Sequence, residues 1–339
     1  MKPLIILGKS AIRNTLLIFS VLIPLLCIYL YLSFRTLYIP IGVSNTDTMF
    51  EISAGSSLAK VSNDLTNAGL IEDPVFFILL AKWRNAENSI KTGEYSLDGN
   101  ITPAQLLRKF VAGETLQYRL TLVEGWTFDQ ALTEIWSSEK VNIELAGLSK
   151  SEISTSLNLE TENPEGMLFP DTYFYTAGTS DREILLRAKE NLDNILADAW
   201  GNRLGALPLE SSYDALILAS IIEKESSVES ERGHISGVFV RRLEQGMRLQ
   251  SDPTVIYGLG PDFDGNLKSK DLRNETAYNT YRIKGLPPTP IALAGIESID
   301  ASVNPLSSSY LYFVATGDGG HKFSSSLEEH NSAVNEYQR

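Results

Sequence analysis

Ala215 to Ile222 are eight consecutive uncharged, almost wholly apolar residues, and a carboxylate, Glu223, follows them directly. A carboxyl group there is expected to sit at the edge of a dry core, where desolvation raises its pKa toward the range a general acid needs. Glu223 is therefore the candidate for proton transfer. Its other reading is a helix-surface glutamate paired with a lysine. Glu225 lies two positions on, about 200° around a helix from Glu223, so the two cannot both face one small site. The motif alone thus does not supply the carboxylate pair that flanks a single bond in a simple glycosidase. Glu225 is expected to be a supporting or surface group.

The run Ala219-Ser220-Ile221-Ile222-Glu223-Lys224-Glu225-Ser226 resembles the catalytic signature of the MltG (YceG-like) endolytic murein transglycosylases. The resemblance continues through Gly246-Met247-Arg248-Leu249-Gln250-Ser251-Asp252-Pro253-Thr254-Val255, Tyr257-Gly258, Tyr278-Asn279-Thr280-Tyr281 and Gly285-Leu286-Pro287-Pro288-Thr289-Pro290-Ile291. Upstream, Glu124-Gly125-Trp126-Thr127 and Glu165-Gly166-Met167-Leu168-Phe169-Pro170-Asp171-Thr172-Tyr173 read as further landmarks of the same family. One departure is Arg241-Arg242-Leu243, which stands where the family pattern has Asn-Arg-Leu.

The resemblance implies that Glu223 is catalytic. One glutamate would protonate the oxygen bridging N-acetylmuramic acid to the next sugar, and the sugar's own 6-hydroxyl would attack C1, leaving a 1,6-anhydromuramoyl end. No enzyme nucleophile and no attacking water are needed. It also implies peptidoglycan strands as substrate, penicillin-binding synthases as partners, and termination of strand growth. A hydrolytic muramidase with a second carboxylate, Asp252 or Glu165, is the alternative within the same chemistry. A wall-binding scaffold without catalysis is the alternative outside it.

Candidate substrate contacts follow from residue type. Pro253 restricts the residue before it, so Asp252, preceded by Gln250 and Ser251, can be held rigidly to orient sugar hydroxyls or an acetamido group, or can cap the helix that follows. Tyr278, Asn279 and Tyr281 offer aromatic faces and an amide that suit N-acetylated sugars, or ordinary loop packing. Glu165 and Asp171 bracket a Phe-Pro turn and either line the cleft or bond within the turn. The run Pro287 to Pro290 is expected to be a stiff wall of the groove.

Composition narrows the field. The 339 residues carry a net charge of -13 with no basic patch, which argues against nucleic acid. The only cysteine, Cys27, lies in the apolar N-terminal segment, so no intramolecular disulfide is possible. His234, His321 and His330 show no ligand spacing, and His321 and His330 are expected to be structural; no metal and no cofactor are expected. No glycine-rich phosphate loop is present.

Residues 14–34 hold no charge and are rich in Leu and Ile, enough for about 30 Å of helix. Lys2, Lys9 and Arg13 precede them, which keeps residues 1–13 cytoplasmic and sends the remainder outward from a bacterial inner membrane, although Arg35 weakens the asymmetry. The run exceeds a signal-peptide core and lacks a clear cleavage pattern, which favours a retained anchor.

The outward part reads as α+β in two domains. Residues 35–117 give strand (Phe50 to Ile52), helix from Leu58, helix from Pro74, strand (Gly93 to Leu97) and helix from Pro103, a unit resembling the LysM-like domain of the same family, whose modules bind N-acetylglucosamine polymers. It either holds glycan or is a spacer. Residues 118–339 form the larger catalytic domain: a strand from Tyr118, a polar surface segment from Val141 to Asn163, an amphipathic helix from Arg182 to Trp200, the Glu223 helix from Ser211 or Ser212, a helix ending at Gly246, and a late strand from Tyr310 to Ala315.

Overall fold

The computed structural model describes residues 9–41, 48–53, 55–97 and 100–338, with side chains from residue 14 onward. Lys2 and Ala54, and the side chains of Lys9 and Arg13, lie outside the described residues. The chain divides into two compact units, Met1–Gln117 and Tyr118–Arg339.

The first unit begins with α1, Lys9–Thr36, whose segment Asn14–Thr36 is long and apolar enough to cross a membrane. After it come β1 (Thr48–Ile52), α2 (Leu58–Asn67), α3 (Pro74–Trp83), β2 (Gly93–Leu97) and α4 (Pro103–Ala112). Each helix starts where a cap allows it. Ser57, Asp73 and Thr102 accept first-turn N–H groups that lack intrahelical partners, and Pro74 and Pro103 occupy first positions where a missing N–H costs nothing. Gly113 ends α4 at φ 72°, a conformation that side chains disfavour. β1 and β2 pair antiparallel with Phe50 opposite Tyr95. Both rings bury against Phe110 of α4, at 5.8 and 4.6 Å between centroids. Leu37, one residue beyond α1, joins this core, and its carbonyl accepts the Ala104 N–H at 3.0 Å.

The second unit runs β3 (Tyr118–Thr121), α5 (Phe128–Ser137), α6 (Lys150–Ser156), β4 (Thr172–Tyr175), α7 (Asp181–Gly201), α8 (Ser212–Glu225), α9 (Glu229–Glu244), α10 (Asp252–Leu259), α11 (Ile296–Val303), β5 (Tyr312–Ala315), β6 (His321–Ser324) and α12 (Leu327–Tyr337). β3 pairs antiparallel with β4, and β5 with β6. These are two-stranded ribbons set among helices, a mixed α+β architecture. α8 is its centre: Ala215 through Ile222 are all buried, so the helix is apolar on every side, packed among α7, α9, α10 and α11. Each fully buried Leu or Ile there contributes about 1.5–3 kcal/mol relative to exposure.

The segment from Val141 to Asn163 lies over the surface, as its polarity implied, with most of its residues exposed, and is pinned there by a few apolar anchors. Leu145, Ile153 and Leu157 are buried in the same core as Phe128 and Tyr173. Buried Asp181 draws the segment inward by accepting the N–H groups of Glu144 (3.0 Å) and Leu145 (3.1 Å) and the indole N–H of Trp136 (2.9 Å). Ile153 and Leu157, four residues apart, anchor α6 and its end along one face, and Leu145 anchors the loop before it.

Candidate active site

α8 ends at Glu225, and the backbone turns extended at Ser226. Burial pushes the Glu225 carboxyl up to about 7; the hydroxyl of Ser251, donating to Oε1 at 2.5 Å, pulls it down, Asp252 pushes it up further, and Arg242 opposes. The carboxyl is packed into protein but reachable from one side, through a cleft of about 470 Å³. Glu225, Arg242, Gln250, Asp252, Tyr281 and Tyr312 line that cleft, α12 contributes His330 and Asn331, and Gln338 just after it completes that wall. The volume suits a small ligand such as a sugar unit.

The loop between α9 and α10 is built to present these groups. Gln250 has φ 55°, a strained value for a residue with a side chain, and the surroundings hold it there. Its N–H donates to the Thr280 carbonyl (3.2 Å), the Ser251 N–H to the Thr280 hydroxyl (2.9 Å), and the Thr254 hydroxyl to the Ser251 carbonyl (2.7 Å). Arg242 closes the other side, donating to the carbonyls of Leu249 and Leu311, both at 2.7 Å, and lying 5.2 Å from the Tyr312 ring centroid. Asp252 accepts the Tyr281 hydroxyl at 2.6 Å; burial first, then that bond, raises the phenol. On the opposite wall His330 stacks on Tyr312, with centroids 5.1 Å apart, and burial, followed by the Arg242 charge, lowers its pKa.

Glu223 does not line this cleft. It forms an ion pair with Arg232 at 3.2 Å, with the two side chains 6% and 9% exposed, and its second oxygen accepts the Gly295 N–H at 3.0 Å at the start of α11. Glu297 lies 3.5 Å from the same guanidinium. The expected division of the two glutamates to opposite faces therefore holds in the geometry, but the carboxyl that meets an open cleft is Glu225.

Of the other candidates, Gln250, Asp252 and Tyr281 come together at the cleft, and Ser251 bonds its acid. Glu165, Asp171, Tyr278 and Asn279 do not line it. Glu165 is buried, accepting the Phe128 N–H (2.8 Å) and the Tyr257 hydroxyl (3.1 Å), and burial raises its pKa. Asp171 is exposed and caps its own turn through the Thr172 N–H (2.7 Å). Tyr278 shares a hydrogen bond with Thr289 (2.9 Å) and packs on the Tyr257 ring. Asn279 is fully buried and stitches a loop, donating to the carbonyls of Asp271 and Leu272, each at 3.2 Å, while accepting the Tyr281 N–H at 3.0 Å. It thereby positions Tyr281.

Residue type alone did not reveal Arg242, Tyr312, His330 and Asn331. Only Arg242 carried a signal, a charge closing the apolar face of α9. At the departure from the family pattern, Arg241 ties α9 to the segment before β5, donating to the Tyr310 carbonyl and the Ser308 hydroxyl, both at 2.7 Å. Among the described residues no group of three His, Cys, Asp or Glu side chains could hold a metal ion.

A carboxyl that burial pushes up to about 7, at a polar, aromatic-lined cleft on a mixed α+β scaffold, is the arrangement a general acid requires. The family model described as the YceG-like family matches residues 50–336, and the chain belongs to that family. It is 30% identical over 312 residues to a protein of Bacillus subtilis named endolytic murein transglycosylase, covering 87% of this chain and 86% of the relative. A Streptococcus pneumoniae protein of the same name is 28% identical over 324 residues, covering 84% of this chain but 57% of that longer relative. A 2.6 Å crystal structure of a YceG-like protein from Listeria monocytogenes superimposes with a TM-score of 0.53 at 29% identity, covering 85% of this chain and 98% of the other.

Proposed function

We propose that this chain is an endolytic murein transglycosylase, anchored in the bacterial inner membrane by α1 with residues 35–339 outside, and that Glu225 is its acid. The enzyme class rests on the named relatives. The residue assignment rests on one observation: among the described residues, Glu225 alone joins a carboxyl pushed up to about 7 to the cleft. In the proposed step the protonated Glu225 gives its proton to the glycosidic oxygen, and the C1–O bond of N-acetylmuramic acid breaks. The 6-hydroxyl oxygen of the same sugar bonds to C1, and its proton returns to the Glu225 carboxylate. The products are a 1,6-anhydromuramoyl end and a free 4-hydroxyl on the next sugar; no water is consumed. Asp252, as a carboxylate accepting from Tyr281, stabilises positive charge developing at C1.

The first unit, whose strand–helix–helix–strand order fits the LysM-like expectation, is proposed to hold the strand, and membrane anchoring would keep cleavage beside the penicillin-binding synthases. Termination of strand elongation follows from that placement.

Asp252 and Glu225 on one cleft also permit a hydrolytic muramidase, in which water takes the place of the 6-hydroxyl. Mass spectrometry of uncrosslinked glycan incubated with the full-length protein in detergent separates the readings. Anhydro ends that vanish in Glu225→Gln support the transglycosylase with this acid. Reducing ends establish the hydrolase. Loss in Glu223→Gln with an active Glu225→Gln returns the assignment to Glu223, and no product from any folded protein favours the scaffold.

A further inference from the structure

α3 leaves an apolar stripe uncovered. Val75, Leu79 and Trp83 recur every four residues on one line of the helix and are 56%, 48% and 70% exposed, while Phe76, Phe77 and Leu80 on the other side are buried in the first unit's core. Exposed apolar residues occurring singly are ordinary, whereas a contiguous helical stripe marks an interaction surface.

The contacts of α3 indicate what covers it. Its Phe76 ring meets Tyr29 of α1 edge-on at 6.3 Å between centroids, and its Trp83 ring meets Phe34 of α1 edge-on, also at 6.3 Å. Both contacts fall on the last turns of α1, so α3 packs beside them. Those turns belong to the apolar segment Asn14–Thr36. The first unit is also fastened to the end of α1 by Leu37, which is buried in its core. The stripe is therefore continuous with the flank of the apolar helix, whose own side chains there, such as Leu25, Ile28 and Leu32, are exposed.

We propose that α3 is a second membrane contact, lying in the outer interface of the bilayer with Val75, Leu79 and Trp83 against the lipid. The proposal rests on the reading of α1 as a membrane span. Trp83 and Tyr38 both pack on Phe34, which places two interface-preferring aromatic rings where α1 leaves the apolar layer. Lys82 and Arg84 flank Trp83 on the same end and suit anionic headgroups. At the other end Glu72 is exposed and Asp73 caps the helix by accepting the Val75 N–H at 2.8 Å, so charge there limits how deep the helix can sit. Bound in this way, the unit cannot swing freely on α1, and its distance from the bilayer is fixed.

The test uses the full chain with Cys27→Ser, reconstituted in vesicles of phosphatidylglycerol and phosphatidylethanolamine. A nitroxide is attached to one new cysteine at a time: Leu79→Cys on the stripe, Leu22→Cys within the apolar helix, and Lys60→Cys on exposed α2. Collision with oxygen, which concentrates in lipid, is compared with collision with a water-soluble nickel chelate. The proposal expects Leu79→Cys to side with Leu22→Cys in favouring oxygen, and Lys60→Cys to favour the chelate. A Leu79→Cys label that favours the chelate while Leu22→Cys favours oxygen overturns the proposal and leaves the span intact. Chelate preference at Leu22→Cys overturns both. Spectral broadening at Leu79→Cys that grows with protein density means that a second copy covers the stripe, which also overturns it.

Discussion

The Ser251 hydroxyl donates to Glu225 Oε1 at 2.5 Å, so the loop before α10 is bonded directly to the last residue of α8. That bond favours the charged carboxyl, while burial and the neighbouring Asp252 favour the neutral one, and burial is the largest effect. A group balanced in this way can donate a proton near neutral pH and take one back. Replacing it by Gln keeps its shape and removes the proton. Glu225→Gln is expected to lose about 10²–10⁴-fold in cleavage rate, the usual contribution of a general acid, with glycan binding retained. Glu223→Gln, acting away from the cleft, is expected to lose far less. Single-turnover rates read by mass spectrometry, beside a glycan-binding measurement, check both.

The same balance predicts a pH profile. Cleavage needs protonated Glu225, so the rate should fall about tenfold per unit as pH rises beyond about 7. Two adjacent substitutions should move this limb in opposite directions. Asp252→Asn removes a charge that raises Glu225 and should shift the limb to lower pH; Ser251→Ala removes a bond that lowers it and should shift the limb to higher pH. A limb that stays in place in both variants would mean that another group titrates.

Stability should carry an imprint of the same group. The folded pKa of Glu225 lies above its unfolded value, so between about 4.5 and 7 the folded state binds more protons and stability falls as pH rises. The cost is complete above 7 and on the order of 3 kcal/mol at most, since water in the cleft screens part of it. Glu225→Gln cannot ionise. It should be more stable than the parent at pH 8, with the difference shrinking toward pH 4, as read by urea midpoints at the two pH values.

Much of this arrangement was legible in the residues. The helix starts at Leu58, Pro74 and Pro103 were readable because capping, here by Ser57, Asp73 and Thr102, is local chemistry, and the separation of Glu223 from Glu225 followed from helix geometry alone. Which glutamate meets open space was not legible. That depends on α9, α10 and α12, the last lying about a hundred residues further along the chain, and on Arg232, which occupies the Glu223 face. Tyr278 and Asn279 had the right chemistry for sugar, but folding directed them into loop bonds, and only Tyr281 of that group emerges into the cleft.

The Glu223–Arg232 pair offers the sharpest stability test, because both side chains are almost wholly buried. Taking two charges out of water costs several kcal/mol per ion, repaid by their attraction and by the Gly295 N–H on the second carboxylate oxygen. Removing one partner strands the other. Arg232→Met should lose about 3–5 kcal/mol, leaving Glu223 with like-charged Glu124 and Glu297 around the vacated position. Glu223→Leu alone should cost less, because Glu297 and Glu124 still lie within 4 Å of the guanidinium, at 3.5 and 3.9 Å. The double variant should then be more stable than Arg232→Met alone, giving a favourable coupling in a double-mutant cycle. Additive losses in urea unfolding would instead mean that the pair contributes no net attraction and that Glu223 is held by α11 alone.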